Sequence, residues 1–180
     1  MKRELEHKLI EKYPKLFQDV LDRKGPKETL MCFGCEHGDG WYDLLDSTLG
    51  AIYSHCENKE RRRKEKLEQP ITWRFLRSAW FDLKWTLRIW WYNWFPSKED
   101  EDNSFFRLSQ VKEKYGRLEV YTWSCDDFVD GAVSVAENMS LKLCEECGDS
   151  GQPNYLDENG EYMEGFAGWI RTRCTAHRKE

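Results

Sequence analysis

Val111-Lys112-Glu113-Lys114-Tyr115-Gly116-Arg117-Leu118-Glu119-Val120-Tyr121-Thr122-Trp123 is the stretch that separates this chain from an all-helical protein. Leu118, Val120 and Thr122 alternate with Glu119, Tyr121 and Trp123, the period of a strand with one buried face. Tyr115-Gly116 has the length of a two-residue hairpin turn, where glycine tolerates a left-handed backbone. A β-hairpin is expected here, and the helical patterns on both sides of it make the fold class α+β.

Downstream, Asp130 is placed to cap a helix carrying Val133, Val135, Ala136, Met139 and Leu143, which delivers the chain to Cys144-Glu145-Glu146-Cys147. Cys174-Thr175-Ala176-His177 follows after 26 intervening residues. Zinc prefers thiolate and imidazole ligands at about 2.0–2.3 Å in a tetrahedron, and a two-residue spacer turns both members of a pair toward one ion. Cys144, Cys147, Cys174 and His177 are therefore the candidate zinc ligands, and Gly148 suits the sharp bend of a knuckle. Four protein ligands leave no position for water or substrate, so such a zinc is structural and not catalytic. Between the pairs, Asn159-Gly160 reads as a turn joining Tyr155-Leu156 to Tyr162-Met163, and residues 168–174 read as a short strand into the second pair.

Upstream, Leu5, Leu9, Tyr13, Leu16, Phe17, Val20 and Leu21 recur at helical spacing, with Pro14 placed to start a second short helix. A glycine-punctuated loop, residues 31–40, feeds a helix from Trp41 whose Leu44, Leu45, Thr48, Leu49, Ile52, Tyr53 and Cys56 form one apolar stripe. Its charged continuation, residues 58–69, reads as a solvated helix end or loop that stops at Pro70. The expected architecture is a set of N-terminal helices packed on a small antiparallel sheet, with a C-terminal zinc-knuckle module.

Two further clusters lie in the upstream loop. Cys32, Cys35 and His37 are candidates for a second metal but lack a clear fourth ligand, although His55, Cys56 or Cys125 could approach; a pair of buried thiols beside a turn is the preferred reading. Asp39, Asp43 and Asp46 fall at i, i+4 and i+7, a spacing that could hold Mg²⁺ or supply acid and base groups alongside Glu113. Aspartates at a helix start more often cap it. No Ser/His/Asp ordering, phosphate-binding glycine loop or HExxH pattern occurs, so no catalytic residue is assigned and the balance leans away from an enzyme.

Residues 71–95 place Trp73, Leu76, Trp80, Leu83, Leu87, Trp90 and Trp94 three and four apart, with Arg74, Arg77, Lys84 and Arg88 among them. Such a stripe can be buried or self-associate. It can also bind a partner through Trp80, Trp90, Trp94, Arg77 and Arg88, since Trp and Arg dominate contact hot spots, or lie flat on a membrane surface. Pro96 and the acidic run 99–102 end it. The expected organisation is a core of residues 1–57 and 103–143, a charged, Trp-rich helical insertion at 58–102, and a zinc-knuckle module at 144–180.

Residues 59–91 hold ten Lys/Arg against four Asp/Glu, a net +6, which leaves −11 on the rest of a chain whose total is −5. That distribution excludes nucleic-acid affinity over the whole surface but allows one local basic contact for a nucleotide or nucleic acid. Residues 1–20 carry no uninterrupted apolar core of a secretory signal and the longest apolar tract, near residue 90, is too short to span a bilayer, so a cytoplasmic location is expected. Seven cysteines, four of them in two CxxC pairs, fit a reducing compartment and metal binding better than a disulfide framework.

The blocks Cys35-Glu36-His37-Gly38-Asp39-Gly40-Trp41-Tyr42-Asp43-Leu44-Leu45, Gln110-Val111-Lys112-Glu113-Lys114-Tyr115-Gly116-Arg117-Leu118, and Ala136-Glu137 through Cys144, Cys147, Gly168-Trp169 and Cys174 to His177 resemble an uncharacterised family of small bacteriophage and prophage proteins. The blocks extend over about half of the chain. Arg117 and Glu119-Val120-Tyr121 stand where the family pattern has a second glycine and an aromatic strand, and residues 58–96 resemble an insertion between its blocks. The family brings no catalytic residues. What the resemblance implies is a phage-type accessory protein that binds and modulates a host protein, a counter-defence role included, with the host cytoplasm as its setting. A nucleotide or nucleic-acid binding protein, and a metal-dependent hydrolase using Asp39 and Asp43, are the alternatives.

Overall fold

The computed structural model describes residues 1–21, 29–68, 106–123, 125–157, 159–163 and 166–178. The chain divides into two compact units, Met1–Tyr53 with Phe106–Glu180, and Ser54–Phe105. The first unit contains both cysteine-bearing loops.

Leu9 of helix α1 (Arg3–Lys12) is buried, as are Tyr13, Leu16 and Phe17 in the segment between it and the single turn α2 (Gln18–Leu21). Pro14 opens a turn between them, and the second helix starts only at Gln18. Short 3₁₀ turns at Met31–Phe33 and Asp39–Trp41 flank the two-residue strand β1 (Cys35–Glu36). Helix α3 (Tyr42–Glu68) follows directly, with Leu45, Leu49, Ile52 and Cys56 buried in line with Trp41. Its apolar stripe is the expected one. Past Cys56 the helix continues through Glu68 because Lys, Arg and Glu are strong helix formers even when solvated.

Strands β2 (Arg107–Lys114) and β3 (Arg117–Trp123) form the expected hairpin. Tyr115 at φ 54° and Gly116 at φ 75° are both left-handed, the conformation whose twist matches a two-residue hairpin. A bulge between Leu108 and Gln110 shifts the register. In a regular strand Leu108 and Val111 would face opposite sides; the extra residue lets both reach the core, where they are fully buried with Leu118. The sheet is not purely antiparallel, because β1 adds to β2 in parallel, pairing Cys35 with Val111 and Glu36 with Lys112. The upstream loop also bonds to β2, since the Leu30 N–H donates to the Ser109 carbonyl at 2.9 Å.

Helix α4 (Asp127–Ser140) is capped by Asp126, whose side chain accepts from the Val129 N–H at 3.2 Å. Asp130, the expected cap, lies instead in its first turn, where its charge complements the helix dipole. The far end of α4 closes the outer edge of β3: the Leu118 N–H donates to Ser140 Oγ at 2.9 Å and the Val120 N–H to Glu137 Oε1 at 3.2 Å. Two donors that would otherwise offer pairing to another strand are thereby satisfied. Beyond α4, β4 (Gln152–Pro153) and β5 (Thr172–Arg173) form a second small sheet. The Asn159-Gly160 turn joins Leu156 to Tyr162 as the pattern predicts, with Gly160 at φ 82°.

The chain is thus α+β, with helices, a small mixed sheet and a C-terminal Cys/His cluster. No described helix is long and apolar enough to cross a membrane. The Trp-rich stripe, including Trp80, Trp90, Trp94, Arg77 and Arg88, lies outside the described residues.

Candidate metal centre

Cys144 and Cys147 leave the end of α4 on a tight knuckle. The Cys144 N–H donates to the Asp149 carbonyl at 2.7 Å, the Gly148 N–H returns to the Cys144 carbonyl at 2.8 Å, and Gly148 takes φ 81° to close the bend. Only a residue without Cβ adopts that backbone at no cost. Cys174 and His177 come from the turn after β5, where the His177 N–H donates to the Cys174 carbonyl at 3.1 Å. The Glu145 N–H bonds to the Thr172 carbonyl at 3.0 Å and draws the two pairs together. Arg173 braces the second turn by donating to the His177 carbonyl at 3.1 Å and to Glu146 at 3.3 Å.

The four ligand atoms all lie within 4.8 Å of one another. Cys147 Sγ is 3.7 Å from Cys174 Sγ, and His177 Nδ1 is 3.5 Å from Cys144 Sγ and 3.2 Å from Cys174 Sγ. Crowding splits the thiols electrostatically. An N–H near Asp149 favours the Cys147 thiolate, but burial and the neighbouring Cys144, Asp149 and Cys174 side chains outweigh it and push this thiol up to about 12. Cys174 is held below its ordinary value: burial opposes ionisation, and the His177 N–H, the two other thiols and the Ala176 N–H overcome it. Three thiols this close cannot all ionise unless a cation sits among them, and three sulfurs with one imidazole are the donors a soft divalent cation takes. The four residues could therefore bind a metal ion.

Around this centre the structure brings up a partner the sequence does not reveal. Residues 38–41, about a hundred positions upstream, lie against the first cysteine pair. The Gly40 N–H donates to the Glu145 carbonyl at 2.8 Å, the Gly38 N–H to Glu145 Oε1 at 3.0 Å, and the Trp41 Nε1–H to the Leu143 carbonyl at 2.9 Å. Burial raises the Glu145 carboxyl, the Gly38 N–H offsets this in part, and Glu113 and Glu146 add to the rise. Thr172, fully buried, donates its hydroxyl to the Gly116 carbonyl at 2.6 Å and ties the hairpin turn to β5.

Cys32, Cys35 and His37 are placed differently. Cys32 is exposed and Cys35 buried, and their ligand atoms form no cluster with His37 among the described residues. Burial, with Glu6 nearby, pushes the Cys35 thiol up to about 12. Burial also pushes His37 down to about 4, although its Nδ1 sits 2.7 Å from the Gly38 carbonyl. Both groups are neutral at pH 7, and His37 Nε2 is buried with no hydrogen-bond partner. The aspartates are spoken for as well. Asp39 accepts from the Lys2 N–H at 2.7 Å and pairs with its ammonium at 2.9 Å, while Asp46 pairs with Lys12 at 2.7 Å and accepts from the Tyr13 hydroxyl at 2.8 Å. Asp46 thus ties α1 to α3, Asp39 ties the residue before α1 to the 3₁₀ turn, and Asp43 is exposed.

No protein-family model, curated protein or solved structure matches this chain.

Proposed function

We propose that this chain is a non-enzymatic accessory protein of phage type, stabilised by one structural zinc ion on Cys144, Cys147, Cys174 and His177, that binds and modulates a host protein in the host cytoplasm. A host defence factor is the narrower target class. The observation that supports the reading is the Cys/His cluster: four candidate protein ligands within 4.8 Å of one another, a number that would complete a tetrahedral zinc site and leave no position for substrate. Zinc is the choice among metals because a tetrahedron with Zn–S of about 2.3 Å and Zn–N of about 2.0 Å has S···S edges near 3.8 Å and S···N edges near 3.5 Å. The spacings of 3.7 Å between Cys147 and Cys174 and 3.5 Å between Cys144 and His177 agree with those edges, and the 3.2 Å between Cys174 and His177 is about 0.3 Å shorter than its edge.

A binding role also agrees with the surface. Trp123, Trp169 and Phe33 are 60%, 73% and 66% exposed, and large aromatics left in water are the residues that anchor protein contacts. Pull-down from bacterial lysate tests the reading, using the wild type and a variant with Trp80, Trp90 and Trp94 changed to Ala. A host protein captured by the first and lost by the second is expected; the same proteins on both would remove the Trp-rich segment from the account.

A further inference from the structure

Glycine is required at position 40 for a reason unrelated to backbone angle. A methyl group there would fall inside the contact distance of the Cys144 carbonyl oxygen and the Gly148 nitrogen, and 2.7 Å from the Cys147 nitrogen. All three are backbone atoms of the knuckle, so no side chain can swing aside. At position 38 a methyl would strike the Glu145 carbonyl and lie 2.7 Å from its Cγ. From the other side, a methyl on Gly148 would lie 2.8 Å from the Gly40 carbonyl oxygen. Two glycine-bearing loops therefore meet backbone to backbone, and the Trp41 indole N–H fixes the Leu143 carbonyl immediately before Cys144.

Resting on the zinc reading above, we infer that Gly38, Gly40 and Trp41 are positioning residues of the metal centre, and that they form a latch through which zinc orders the upstream loop and the start of α1. The docked loop restrains the knuckle backbone between Cys144 and Gly148, the segment that carries the first two candidate ligands. Less chain entropy is then lost on binding. The coupling is reciprocal: whatever factor the docked loop adds to zinc affinity, zinc adds to docking of the loop. Asp39 carries the effect onward, because it lies between the two glycines and grips Lys2 at the start of α1.

Zinc affinity of the full chain, measured by competition with a chromophoric chelator, tests this. Gly40→Ala is expected to weaken zinc binding by about 10- to 100-fold, the usual cost of removing support behind metal ligands. Its cobalt-substituted form should show a shifted thiolate charge-transfer band. Gly131→Ala, whose methyl meets nothing within 4 Å, is expected to bind as the wild type does. Leu49→Ala, a cavity in the buried stripe of α3, should lower the melting temperature and leave affinity and cobalt spectrum unchanged. Wild-type affinity and spectrum in Gly40→Ala would overturn the latch. Should Gly40→Ala fail to fold, Trp41→Phe, which keeps a smaller aromatic ring and loses the bond to Leu143, decides the matter: a severalfold loss supports the latch and none overturns it. A wild type that takes up no zinc would instead bring down the metal reading beneath it.

Discussion

Two loops of this protein carry a CxxC pair and a nearby histidine, and they have opposite fates. At Cys144–His177 three thiols and an imidazole converge, with their candidate ligand atoms all within 4.8 Å of one another. At Cys32–His37 one thiol faces water, while the other and the imidazole are buried and neutral. Spacing alone does not decide the outcome. The C-terminal loop has a glycine in the left-handed conformation to close its knuckle and a second pair delivered by a strand. The upstream loop spends its backbone on pairing β1 with β2, and the Cys35 N–H donates to Glu6 at 2.8 Å.

The largest effect that can break this comparison is removal of a clustered ligand. If the proposed zinc site stabilises the fold, Cys144→Ser or His177→Ala should abolish zinc uptake and unfold the C-terminal module, because metal binding at such a site supplies folding free energy; metal content and circular dichroism check it. Next, Cys35→Ser places a hydroxyl where a buried thiol packs, and a loss of about 1–3 kcal/mol by urea titration is expected with zinc content unchanged.

His37 sharpens the contrast through pH. Its folded-state value near 4 lies below the ordinary 6.5, so the unfolded chain binds the proton first as pH falls. The His37 contribution is fully present above about 6.5, is lost between 6.5 and 4, and levels off below. The steepest loss is roughly 1.4 kcal/mol per pH unit. Protons also compete with metal for thiolates, so the difference between wild type and His37→Asn across a pH series of melts isolates this share. The smallest effect belongs to Cys32→Ser, which changes an exposed thiol and should alter neither melting temperature nor zinc content.

Local chemistry made much of this legible in sequence. The Tyr115-Gly116 turn, the stripe from Trp41 to Cys56 and the quartet of ligands each depend on residues whose spacing states the geometry. What stayed hidden depends on long-range backbone contact. Cys35–Glu36 has no strand pattern of its own and becomes a strand only because Val111 and Lys112 offer an edge. The bulge near Ser109 is invisible until Leu108 and Val111 are seen to share a face. Asp126 and Asp130 are equal candidates by residue type, and the cap went to the one whose oxygen reaches the Val129 N–H. Gly38 and Gly40 look like ordinary loop glycines until the knuckle is placed against them.

Zinc stoichiometry by native mass spectrometry, on wild type, Cys32→Ser and Cys174→Ser, tests the central claim most directly. One zinc per chain in the first two and none in Cys174→Ser is the expected result; a full equivalent in Cys174→Ser with unchanged melting would contradict the account.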